Sequence, residues 1–179
     1  MTHSTPSDSD NTRKGTDLED ATELVLYALK TDGHVIVDYR LRHGSAFPDF
    51  WVLDSKGREW LIEVKNLAPR YLIEYAPKGV WLWNKRWVEQ NILSKEWSRN
   101  EYETRGMRGK TRRERTGIKI PAHNPIPALV VSVWLFAQDA HQALIDFFGK
   151  NIVTLGNPTF YGGPWGHELY NGLRRLFTS

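Results

Sequence analysis

Apolar positions recur at helical spacing from Leu18 onward, through Ala21, Leu24, Val25, Ala28 and Leu29, with Thr16 or Asp17 as a cap and Asp32-Gly33 as a stop. The pattern predicts a helix over 17–31. Three short runs rich in β-branched and aromatic residues follow: His34–Leu41, Phe47–Asp54 and Glu59–Val64. Ser55-Lys56-Gly57-Arg58 between the last two is a hairpin turn signal, so an antiparallel meander is expected. Residues 67–84 show no period, and a second helix is expected from Lys85 to Tyr102, carrying Trp87, Ile92, Leu93 and Trp97. Ala128–Phe136 is nearly all apolar, as in a strand buried on both faces. A helix over Asp139–Phe148 ending at Gly149, a short strand at Ile152–Leu155 and a terminal helix over Gly166–Phe177 complete the reading. The order α-β-β-β-α-β-α makes this an α/β chain, a mixed central sheet flanked by helices.

With 179 residues, one domain is expected. Residues 1–13 are Ser/Thr/Asp-rich with almost nothing apolar and are expected to form a flexible tail before a single domain at 14–179. Cysteine is absent, which excludes disulfides, thiolate zinc sites and a cysteine nucleophile. The histidines, His34, His43, His123, His141 and His167 among them, have no metal-ligand spacing. No apolar stretch is long enough for a membrane span and the N-terminus lacks a secretory pattern, so a cytoplasmic protein without membrane contact is expected.

Net charge is only +3, but its distribution is uneven. Residues 99–119 hold eight Lys/Arg against three Glu and read as an exposed basic insertion. Within it, Arg105, Arg108, Lys110, Arg112, Arg113 and Arg115 are candidate DNA contacts through phosphates; a solvated surface loop is the plainer alternative. Trp81, Trp83, Trp87 and Trp97 are expected in the core or at a dimer interface, with stacking on unpaired bases as the alternative.

The chemistry concentrates in FPDFWVLDSKGREWLIEVKN, where Asp49 precedes Glu63 by fourteen residues across the predicted turn. Strand alternation puts Glu63 and Lys65 on one face and Val64 on the other, beside Ile62. The hairpin sets Asp49 alongside Glu63, giving two carboxylates next to an ammonium. Two acids so placed repel unless a cation joins them, and Mg²⁺, with Mn²⁺ as a substitute, suits one or two carboxylates completed by water and phosphate oxygens. Alone, Glu-Val-Lys would also fit a salt-bridged, solvent-facing strand.

Pro48-Asp49 with Glu63-Val64-Lys65 resembles the signature of the PD-(D/E)XK nuclease superfamily. Lys14-Gly15-Thr16-Asp17-Leu18-Glu19 is similar to the opening of archaeal Holliday junction resolvases, and Gly44-Ser45 to their loop before the aspartate. The resemblance covers residues 14–66. It implies a restriction-endonuclease-like core (α-β-β-β-α-β) and Mg²⁺-dependent cleavage of branched or duplex DNA by a homodimer. Asp49, Glu63 and Glu19 would be metal ligands, Lys65 would stabilise the transition state and Ser45 would assist cleavage. The rivals are a sequence-specific, restriction-like endonuclease using 67–119 for base readout, and a nucleic-acid-binding module that does not cut.

Overall fold

The computed structural model describes residues 8–42, 44, 46–67, 82–105, 117–156 and 165–179. Helix α1 (Asp8–Thr31) leads into strands β1 (Val35–Arg40), β2 (Phe50–Asp54) and β3 (Glu59–Lys65). Next come a single helical turn, α2 (Lys85–Val88), running directly into a π-helical turn (Glu89–Leu93), and two short strands, β4 (Glu101–Glu103) and β5 (Lys119–Pro121). The chain continues with β6 (Ile126–Val131), α3 (Gln138–Phe148), β7 (Ile152–Thr154) and α4 (Trp165–Thr178). The main sheet has five strands in the order β1-β2-β3-β6-β7. Its first three strands are antiparallel neighbours, whereas β3, β6 and β7 run parallel, so the sheet is mixed. Among the described residues, no helix is long and apolar enough to cross a membrane.

Both faces of the sheet are covered. Leu18, Leu26 and Leu29 of α1 pack with Leu169, Leu173, Leu176 and Phe177 of α4 against Trp60, Ile62, Val64 and Val130. Gly172 permits that close approach, because a Cβ there would overlap the side chain of Val153. On the opposite face, Val88 and Ile92 join Ala140, Leu144 and Phe148 of α3 over Leu129 and Val131. Alternate residues of β6 thus belong to two cores, which explains its uninterrupted apolar run. The β4–β5 pair covers the rest of this face, setting Tyr102, Ile120 and Ala122 over Trp51 and Leu61.

Four elements differ from the sequence expectation. α1 begins at Asp8, so its first turns occupy residues assigned to a flexible tail; no proline or glycine between Asp8 and Lys14 interrupts a helix. The second helix stops at Leu93 instead of Tyr102. The Trp97 indole donates to the Ile92 carbonyl at 3.0 Å and the Tyr102 hydroxyl to the Glu96 carbonyl at 2.6 Å, bonds that fold the chain back on itself. The basic segment 99–119 is not an open loop throughout, because its two ends pair as β4 and β5. Finally, β6 ends at Val131, where the Ser132 hydroxyl donates to the Leu67 carbonyl at 3.1 Å and draws the chain out of the sheet. The hairpin turn stands where expected, with Gly57 at φ 79°, a backbone setting that glycine adopts without a Cβ penalty.

Candidate active site

Strand pairing sets the site. Phe50 faces Ile62 in the antiparallel β2–β3 ladder, so Asp49, one residue before β2, stands opposite Glu63. The ladder bonds continue past the strand end, with the Asp49 amide donating to the Ile62 carbonyl at 3.0 Å and the Leu41 amide to the Asp49 carbonyl at 2.8 Å. Asp49 is held by its side chain too, since Oδ2 accepts a 2.7 Å bond from the Val64 amide. On β3, Glu63 and Lys65 project from one face with Nζ of Lys65 3.0 Å from Glu63 Oε1. Val64 turns the other way into the core beside Ile62.

These residues floor a pocket of about 360 Å³ whose charged lining is Glu19, Asp49 and Glu63 against Arg40, Arg42, Lys65, Lys95 and Arg105. Arg40 is shared with Asp20 and Glu23 of α1 and Arg42 with Glu103, so among the described lining residues the charges of both signs are largely paired. Glu63 is only 1% exposed, and among the described residues its Oε2 has no hydrogen-bond partner. An orphaned carboxylate oxygen at such depth is costly unless something positive meets it. Burial pushes the Glu63 carboxyl above its ordinary pKa, and Lys65 and Lys95 only partly offset this. Asp49 is pushed well up, first by burial and then by the charges of Glu63 and Glu19. Burial alone would depress Lys65, but Glu63 and Asp49 outweigh it and hold the ammonium above its ordinary value. With these partners Lys65 stays a positive charge beside Glu63.

Glu19 comes from α1 and lies on the pocket wall. Its Oε2 accepts a 2.7 Å bond from Arg40 and lies 4.0 Å from Arg105. Arg40 is buried and also binds Asp20 at 2.6 Å and Glu23 at 2.9 Å, so one guanidinium gathers three acids of the same helix. Among the described residues, no three His, Asp or Glu side chains converge as a metal cage. Asp49 and Glu63 form the close pair, while Glu19 stands beside them, engaged by Arg40. Two carboxylates with room for a third party fit a hard divalent cation that takes its remaining oxygens from water or a ligand.

Arg105 lines the same pocket. Ser45, Arg108, Lys110, Arg112, Arg113 and Arg115 lie outside the described residues, as do His43 and Trp81. Trp83 and Trp87 stack with ring centroids 4.3 Å apart, and Trp97 packs on Phe147 and Phe148. All three are half-buried, in or against the second core. Sequence reasoning did not find Arg40, Arg42 or Lys95. Alternation along β1 makes Arg40 look like an ordinary outward polar residue, and Lys95 sat inside a helix expected to run on to Tyr102. Gln90, the polar residue of that helix weighed as a support for the site, is exposed and absent from the pocket lining.

No protein-family model, curated protein or solved structure matches the chain.

Proposed function

We propose that the chain is a Mg²⁺-dependent DNA endonuclease of the PD-(D/E)XK type, built on a restriction-endonuclease-like core and hydrolysing phosphodiester bonds. One observation carries the reading: Asp49 and Glu63 face each other across β2 and β3, Glu63 Oε2 is buried without a hydrogen-bond partner among the described residues, and the Lys65 ammonium stands 3.0 Å from the other oxygen of the same carboxylate. Asp49 and Glu63 would hold the cation, with Mn²⁺ able to replace Mg²⁺. When bound, such a cation polarises the phosphoryl group and lowers the pKa of an attacking water.

The remaining work falls to the chain's own side chains. Lys65, fixed beside Glu63 and positively charged, stabilises the negative charge that develops on the phosphate. Arg40 fixes Glu19 against the pocket wall, where its carboxylate adds to the negative field that draws in a cation. Arg105 and Arg42 at the rim supply positive charge for flanking phosphates. The Val64 amide keeps Asp49 from swinging away, so the pair is preorganised before substrate arrives.

The substrate we propose is branched DNA, cut in a Holliday-junction-resolving manner by a homodimer, since two matched strands must be cut at one junction. Labelled four-way junction, flap, single-stranded and linear duplex DNA, offered with Mg²⁺, test this. Selective cutting of the junction is expected. Preference for one linear duplex sequence would favour a restriction-like enzyme, and binding of all four without cutting would favour a non-catalytic module.

A further inference from the structure

Glu63 has a second cation, and it comes from a distant part of the chain. Lys95 Nζ lies 3.7 Å from Glu63 Oε1, the oxygen that Lys65 approaches to 3.0 Å. At 3.7 Å the contact is longer than a hydrogen bond, so Lys95 is drawn by charge, and no hydrogen bond from its ammonium is formed among the described residues. Lys95 is also no wandering surface lysine. Its side chain is 22% exposed, against 52% for Lys85. The backbone around it is pinned: the Lys95 amide donates to the Ile92 carbonyl at 3.3 Å, and the Glu96 amide to the Ala46 carbonyl at 2.8 Å. The second bond ties this segment to the stretch that leads into Asp49. The π-helical turn Glu89–Leu93 ends just before Lys95, and such turns are frequent at functional sites.

From this arrangement we propose that Lys95 is a second phosphate-binding residue, forming with Lys65 a two-ammonium clamp on the phosphodiester in the pocket. Both ammonium groups approach one oxygen atom, so they are close enough together for a single phosphate group to bridge them. Once Glu63 shares its charge with a divalent cation, the donors of Lys95 are left for a phosphate oxygen. The inference rests on the proposed reading of the site as a phosphodiesterase centre.

The test is binding of a fluorescein-labelled duplex oligonucleotide across a salt series, with Ca²⁺ in place of Mg²⁺, paired with single-turnover cleavage in Mg²⁺. Lys95→Gln is expected to lower the slope of log affinity against log salt by about 1, the signature of one lost phosphate contact. Cleavage is expected to slow by about 10-fold or more, and Lys95→Arg to recover most of the binding slope. Because Lys95→Gln leaves Glu63 with one cation fewer and so weakens the site, the double variant Glu63→Gln/Lys95→Gln is compared with Glu63→Gln alone, and the same loss of slope is expected. An unchanged slope in a folded variant overturns the clamp and makes Lys95 a counterion of Glu63 only. Wild-type cleavage combined with that unchanged slope refutes the clamp alone. Wild-type binding without any cleavage refutes the nuclease reading, and the slope still decides the clamp.

Discussion

The carboxylate of Asp49 is held by the strand that carries its partners: Oδ2 accepts a 2.7 Å bond from the Val64 amide, between Glu63 and Lys65. The bond fixes half-buried Asp49 against buried Glu63 although both carboxyls have raised pKa values, Asp49 by loss of solvent first and by Glu63 next. The two raised carboxyls are therefore a source of instability that a bound cation would relieve.

This has a measurable sign. A carboxyl whose folded pKa lies above its unfolded value takes up a proton on folding, so stability falls as pH rises from the ordinary aspartate value through the raised one. Asp49→Asn keeps an oxygen for the Val64 amide and removes the charge. Thermal unfolding without metal should show a higher Tm for Asp49→Asn than for wild type at neutral pH. Added Mg²⁺ should raise the Tm of wild type and leave that of the variant unchanged.

Lys65 should behave as a fixed charge. Lys65→Ala should lower the cleavage rate by about 10²–10³-fold, the usual loss when one group stabilising transition-state charge is removed. Because Glu63 and Asp49 hold its ammonium above the ordinary lysine value against the opposing effect of burial, the pH–rate profile of wild type should show no limb from Lys65 in the neutral range. Steady-state rates against pH check this directly.

Arg40 joins β1 to α1 through Glu19, Asp20 and Glu23. Arg40 is buried but Asp20 and Glu23 are partly exposed and can be rehydrated, so Arg40→Ala should cost about 1–3 kcal/mol in denaturant unfolding, less than a fully buried pair. Arg40→Lys should recover part of that stability but leave Glu19 less firmly held, because a single ammonium cannot reproduce the planar fork.

Asp54, outside the pocket, governs the acid side of stability. It is fully buried and accepts from the amides of Lys56 and Arg58, from Arg58 Nε and from the Trp60 indole, all within 2.9 Å. Burial opposes its ionisation, but the Trp60 and Arg58 donors prevail and hold its carboxyl below the ordinary range. Its contribution is complete above the unfolded aspartate value and is lost as pH falls from about 4 through the lowered pKa. Asp54→Asn should destabilise the protein by about 1–3 kcal/mol at neutral pH and flatten the acid limb of a pH–stability curve.

Much of this arrangement was legible in the chain because it depends on local periods. Alternation in β3 put Glu63 and Lys65 together, and the Gly57 turn brought Asp49 across from them, with no knowledge of tertiary contacts required. What was not legible depends on long-range partners. Nothing near Tyr102 announces that Ile120 will pair with it in a second sheet, so the local pattern reads as the end of a helix. Arg40 reads as a surface alternation until α1 lies over it, and Lys95 has no period at all; only the fold brings it to Glu63.

The central claim is that Asp49 and Glu63 support metal-dependent phosphodiester hydrolysis, and the direct measurement is cleavage of labelled DNA by wild type, Glu63→Gln and Lys65→Ala with Mg²⁺, Mn²⁺ or EDTA. The expected result is cleavage by wild type with either metal, none in EDTA, and severe loss in both variants. Cleavage that persists in EDTA or in Glu63→Gln, or its absence from folded, DNA-binding wild type with both metals, would contradict it.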